Sequence, residues 1–180
     1  MDIVTFVGQS IGRWQSQRTA HHLTFRHSEE VQSTIDIEAV NRDHPDVARL
    51  CKVYGVAIAD ISTPFRMTWE GESDWDEDED EQQTLSGTTV LIPVPDKVDP
   101  RRGKLLRDQG YAETVAAAGE YYFTDDETFV LVTSYDRAAA EEKIWFVNPN
   151  LRFRVSMIKT SNGEGVLTAS FASETRTQVS

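Results

Sequence analysis

The stretch Gly12-Arg13-Trp14-Gln15-Ser16-Gln17-Arg18-Thr19-Ala20-His21-His22-Leu23 decides how this chain is read. Just upstream, Ile3, Phe6 and Val7 fall at helical spacing, which predicts a short helix over Asp2 to Gln9. Gly12 frees the backbone to turn from that helix into a strand. Trp14 supplies a large plug for one end of a barrel. The predicted strand then carries a cation, amides, hydroxyls and two adjacent imidazoles, and few core strands are that polar. Strand residues alternate faces, so Ser16, Arg18, Ala20 and His22 share one side. Gln15, Gln17, Thr19, His21 and Leu23 share the other.

Downstream, Glu29 to Val40 alternates, with Val31, Ser33, Ile35, Ile37 and Ala39 on one face of a strand whose other face is wet. Asp43 is a plausible N-cap and Pro45 suits a first helical turn. A helix is expected over Asp46 to Tyr54, burying Val47, Leu50 and Tyr54 and stopped by Gly55. Val56 to Trp69 reads as strand interrupted at Pro64, with Phe65, Met67 and Trp69 on one face. Glu72 to Glu81 is an acidic loop holding Trp75 among carboxylates, either folded back on a barrel rim or lying over a ligand. Thr88 to Val94 is a strand. Asp96 to Gln109 holds the basic cluster Arg101, Arg102, Lys104 and Arg107 and reads as a solvated connection. From Tyr111 onward the pattern is a meander: one or two strands to Thr124, then Thr128 to Tyr135, Glu142 to Val147, Leu151 to Lys159 and Val166 to Ser173, with a loose tail from Thr175. Short strands with regular turn signals argue an antiparallel barrel.

Composition bounds the rest. At 180 residues the chain is expected to form one domain, 1–180, with room for a core. A net charge of −12 opposes binding to nucleic acid or to an anionic membrane surface. No apolar run approaches the ~18 residues of a membrane span, and no basic n-region precedes an apolar one, so no secretory signal is expected. Cys51 is the single cysteine, which excludes an internal disulfide and fits a reducing compartment. The histidines and the lone cysteine give no metal-ligand spacing.

A second informative stretch is Glu142-Lys143-Ile144-Trp145-Phe146-Val147-Asn148-Pro149-Asn150-Leu151-Arg152-Phe153-Arg154-Val155-Ser156. After the Asn-Pro-Asn turn, Leu151, Phe153, Val155 and Met157 form one face and Arg152, Arg154, Ser156 and Ile158 the other. Periodicity alone favours the apolar face inward and the arginines in solvent. The opposite assignment would put two guanidinium forks into a polar cavity suited to carboxylates.

Gly-x-Trp after an N-terminal helix resembles the lipocalin opening. The longer string Gly12-x-Trp14-x-Ser16-x-Arg18-Thr19-x-His21-His22-Leu23, with Trp-Phe-x-x-Pro-Asn-x-Arg-x-Arg-x-Ser from Trp145 to Ser156, resembles the S-type phycobiliprotein lyases, the CpcS/CpeS chromophore lyases. Trp69 and Trp75 match that family's aromatic pair. The resemblance implies a mostly β fold: a lipocalin-like or fatty-acid-binding-protein-like antiparallel barrel of about ten strands, with a short N-terminal helix and one further helix.

It also implies an enzyme that binds a free phycobilin, phycocyanobilin or phycoerythrobilin, and joins it through a thioether to a cysteine of a phycobiliprotein subunit. The bilin is then substrate, with no permanently bound cofactor. Arg18 and Arg152 are the first choices for the two propionates, and Arg154 shares Arg152's parity. Glu142 is the candidate proton donor to the pyrrolic nitrogens. Trp69 and Trp75 would stack on the tetrapyrrole and Ser156 would add a hydrogen bond. His21 and His22 are both ligand candidates, but adjacent strand residues face opposite sides, so only one can line the cavity. The resemblance further implies a cytosolic or plastid-stromal enzyme, working as a homodimer or with a paralogous lyase subunit. A non-catalytic bilin or fatty-acid carrier is the rival reading of the same barrel and arginines.

Overall fold

A computed structural model describes residues 1–73, 85–108, 118–135, 138–160 and 165–177. Helix α1 (Ile3–Ser10) leads into strands β1 (Gly12–His22) and β2 (His27–Ala39), followed by helix α2 (Pro45–Tyr54) and a 3-10 turn at Ile58–Asp60. Then come β3 (Phe65–Ser73), β4 (Leu85–Pro95), β5 (Arg102–Arg107), β6 (Gly119–Phe123) and β7 (Phe129–Ser134). The chain continues through β8 (Ala138–Asn148), β9 (Leu151–Thr160) and β10 (Val166–Arg176). Each strand pairs antiparallel with the next, and β10 pairs with β1 to close a ten-stranded barrel. Closure leaves no free sheet edge.

Helix α1 plugs one end. Asp2 caps it by accepting from the Thr5 amide at 2.8 Å. Its Phe6 ring stacks on Phe129 with centroids 4.3 Å apart and meets Phe123 and Phe146 edge-on. Trp14 follows directly, fully buried, its indole N–H donating to the Ser10 carbonyl at 2.9 Å. The Arg176 guanidinium, from the last strand, lies 4.3 Å from the Trp14 ring and donates to the carbonyls of Gln9, Ile11 and Pro149. One arginine therefore ties both chain ends to the plug. Gly12 sits at φ 130°, and a β-carbon there would collide with that guanidinium.

Helix α2 covers the outside of β4 and β5. Val47, Leu50 and Cys51 pack with Ile61, Val90, Ile92 and Leu106 in a core separate from the barrel's own. The expected N-cap Asp43 is replaced by His44, whose Nδ1 accepts from the Asp46 amide at 3.2 Å. Gly55 ends the helix in the left-handed region, as its sequence position predicts.

Two expectations fail on local grounds. The basic stretch read as a solvated connection contains β5, because Leu105 enters the barrel while Leu106 lies under α2. Burial on both faces erases the period-two signal. Val56 to Trp69 is strand only from Phe65, since Ile58–Asp60 forms a 3-10 turn and Ile61 is drawn into the α2 core.

Candidate functional site: a charged cavity inside the barrel

The barrel encloses two abutting lobes, of about 270 and 390 Å³. Together they fall in the ~300–1,000 Å³ range of pockets that hold drug-sized ligands. The first lobe lies against α1 and is lined by Phe6, Ser10, Phe65, Leu91, Phe129 and Arg152, among others. The second lies toward the other end, between Ser16, Arg18, His22, Glu29, Ser156 and Ser170. Met67, Trp69, Glu142 and Arg154 line both.

Strand β9 puts its arginine face inward, against what periodicity alone favours. Arg152 is buried and Arg154 nearly so, with side-chain exposures of 1% and 15%. The apolar face turns outward and finds company there. Phe153 packs against Trp145 of β8 at 5.7 Å and Phe171 of β10 at 5.3 Å, forming an external aromatic strip in which Phe171 stays 48% exposed. Cross-strand aromatic pairing stabilises an outer face as well as an inner one.

Glu174 is what makes the inward arginines tenable. It is buried on β10, with Arg152 Nε at 2.5 Å and Arg154 Nε at 3.0 Å from its two oxygens. Burial alone would raise its carboxyl pKa, but the charges of Arg154 and Arg152 outweigh that and hold it below the ordinary range. Burial pulls the Arg152 guanidinium down to about 10, which still leaves it charged at neutral pH. The same guanidinium rests 4.4 Å from the Trp14 ring, so the plug and the charge cluster are one structure. Glu142, on β8, reaches Arg154 at 3.6 Å and faces both lobes. Its neighbour Glu141 has the opposite parity and pairs outside the cavity with Lys143 and Lys159.

Arg18 differs from the β9 arginines. It lines the second lobe and makes no ion pair with any described residue. Its Nε is buried and lacks a hydrogen-bond partner among the described residues, as do Arg152 Nη2 and Ser10 Oγ beside the first lobe. Three buried polar atoms without partners at one cavity cost free energy that a polar ligand would return.

The structure thus gathers Arg18, His22, Trp69, Glu142, Arg152, Arg154 and Ser156 around one cavity. His21 is corrected: it lies on the exposed outer face of β1, because its neighbour His22 takes the inward position. Trp75 lies outside the described residues. Two carboxylates escaped the sequence reading. Glu174 did because β10 was ended at Ser173, whereas the strand runs on to Arg176. Glu29 carried a usable signal, the same parity as Val31 and Ile35, and it is buried at the cavity wall. Gly87 pairs with Trp69 across the β3–β4 ladder, and a β-carbon there would strike the indole, so the glycine makes room for the ring.

The family model for CpeS-like proteins matches residues 2–177. The chain belongs to the CpeS-like family. It is 58% identical to "Chromophore lyase CpcS/CpeS 3" of Trichodesmium erythraeum, over 98% of this chain and 99% of that one. It is 57% identical to "Putative phycoerythrobilin lyase CpeS" of Microchaete diplosiphon, over 89% of this chain and 71% of that one. Among solved structures, the S-type phycobiliprotein lyase CPES from Guillardia theta superposes with a TM-score of 0.85 at 44% identity, covering 100% of this chain and 95% of the other. This CpeS-like barrel therefore shares family and fold with proteins named as lyases, as the two sequence motifs imply. Among its described residues no helix is long and apolar enough to cross a membrane.

Proposed function

We propose that this protein is a chromophore lyase that takes a free phycobilin into the barrel and attaches it to a phycobiliprotein cysteine through a thioether. The observation that carries the reading is the pair of inward arginines, Arg18 and Arg152, each with a buried N–H group lacking a partner among the described residues. An open-chain tetrapyrrole has two propionates that fill such groups with charge-assisted bonds. Trp69 stacks on the conjugated plane from the wall shared by the two lobes, and Ser156 adds a polar contact.

In this reading the chemistry belongs to Glu142. Beside the pyrrolic nitrogens its carboxyl passes a proton to the pigment, and a protonated pigment is the better electrophile at the ring A ethylidene. Glu174 holds Arg152 and Arg154 in place. The nucleophile is the acceptor's thiol, so buried Cys51 takes no part. The substrate is phycocyanobilin or phycoerythrobilin. The enzyme works in the cytosol or plastid stroma of a phycobilisome-bearing cell, as a homodimer or beside a paralogous subunit.

Incubation with bilin and an apo-phycobiliprotein subunit tests the reading. The expected product is a coloured adduct on the acceptor that survives denaturation; pigment binding without any adduct would make the protein a carrier. Glu142→Gln is expected to bind pigment with a spectrum shifted toward the neutral form and to transfer it about 10²-fold more slowly. Full transfer by that variant would remove Glu142 from the mechanism.

A further inference from the structure

The end of the cavity away from α1 holds a second group of titratable side chains, which the pigment-binding scheme leaves unused. His22, near the end of β1, lines the second lobe and keeps 22% of its side chain exposed. Its Nε2 lies 3.0 Å from Glu29 Oε2. The other Glu29 oxygen accepts from the Ser73 hydroxyl at 2.5 Å. Burial would raise the Glu29 carboxyl, but the bonds from Ser73 and His22 and the charge of Arg18 outweigh it and keep it ionised. A carboxylate so placed fixes the imidazole ring and its tautomer. In the tautomer that donates Nε2–H to Glu29, Nδ1 is the basic nitrogen.

The charged and titratable described groups that line the second lobe with His22 are Arg18, Glu29, Tyr135, Glu142, Arg154 and Glu174. Arg18 lies on its own strand, Glu29 on β2, and His27 opposite it in the β1–β2 register. Across β10 it meets Thr168 and Ser170, and β3 presents Ser73. The other end of the barrel is filled by Phe6 and Trp14, which closes it to an acceptor thiol.

Resting on the lyase reading above, we propose that His22, oriented by Glu29, is the general base that deprotonates the acceptor cysteine, and that the pigment therefore lies with ring A toward this end. The thiol proton passes to His22, and the thiolate sulfur forms a bond to the exocyclic ethylidene carbon. The C=C π bond breaks, and its electron pair moves to the adjacent ring carbon, which takes a proton from the Glu142 side. His22 then releases its proton to solvent and Glu142 regains one. The net change is addition of S–H across one double bond, with no oxidant or reductant. The assignment answers a need, because a free thiol with pKa about 8.5 is only a few per cent ionised at pH 7.

The test uses the full chain with phycoerythrobilin, phycocyanobilin and an apo-phycobiliprotein subunit. His22→Gln is expected to lose transfer at pH 7 by roughly 10²-fold, far more than it loses in pigment affinity. Raising the pH should restore the variant by about tenfold per unit until the thiol ionises near pH 8.5, whereas the unaltered enzyme gains little there. Glu29→Gln should lose roughly tenfold in transfer with pigment binding intact. Unchanged transfer in His22→Gln, equal losses of binding and transfer, or a deficit that pH does not close would each overturn the assignment. If His22→Gln does not fold, Glu29→Gln decides by the same criteria. Failure of the unaltered protein to form an adduct would strike the lyase reading, not this one.

Discussion

Inside this barrel cationic charge is handled in two ways, and single substitutions separate them. Arg152 and Arg154 share one buried carboxylate, Glu174. Removing that charge leaves two guanidinium groups short of a partner, and breaking a buried pair typically costs ~3–5 kcal/mol. Glu174→Gln is therefore expected to lower Tm by roughly 6–20 °C, read by thermal denaturation. The pH dependence has a definite sign. A carboxyl held below its ordinary range in the folded state contributes stability above the unfolded pKa of about 4.3, and that contribution disappears as pH falls through the folded value. The unaltered protein should lose Tm more steeply than Glu174→Gln as pH is lowered below about 4.3. Arg18, by contrast, makes no ion pair with a described residue. Arg18→Met should leave Tm nearly unchanged and weaken bilin binding by about 10- to 150-fold, the ~1.5–3 kcal/mol of one charged hydrogen bond. Pigment titration followed by absorbance measures it.

At the scale of the element, β1 is the part the sequence announced best. Its glycine, its tryptophan and the alternation of Ser16, Arg18, Ala20 and His22 all hold in the structure. Gly12→Ala should destabilise by about 1–3 kcal/mol, because φ is positive and the β-carbon meets the Arg176 guanidinium. Chemical denaturation should show this as a lower midpoint at unchanged slope. β9 was ambiguous for a physical reason. Both of its faces are occupied, one by charge that Glu174 neutralises and the other by an aromatic strip lying outside the core. Periodicity reports that two faces differ; it carries no information on which one is inside when the inside is a polar cavity. The extent of β10 is lost for a related reason: the pattern ends the strand at Ser173 and reads Thr175 onward as tail unless the partners of Glu174 and Arg176 are known.

For the molecule as a whole, the meander of turns made the barrel class legible, and the family resemblance carried by two motifs supplied its strand number and the cavity's arginines. The clustering of Glu174, Glu142 and Arg154, and of His22 with Glu29 and Ser73, was not legible, since it depends on strand register around a closed sheet. The same closure has an optical consequence. Trp14 is sealed in the plug at 0% exposure, while Trp69 forms part of the cavity wall. Emission from Trp14 should therefore be blue and indifferent to a soluble quencher such as acrylamide. A bilin against Trp69 absorbs where indole emits and should extinguish that ring first. In Trp69→Phe the remaining emission should respond less to added pigment than in the unaltered protein; an undiminished response would mean that the bilin does not lie against that wall. Occupancy of the cavity can thus be followed in the ultraviolet through the protein's own tryptophans, without labelling either partner.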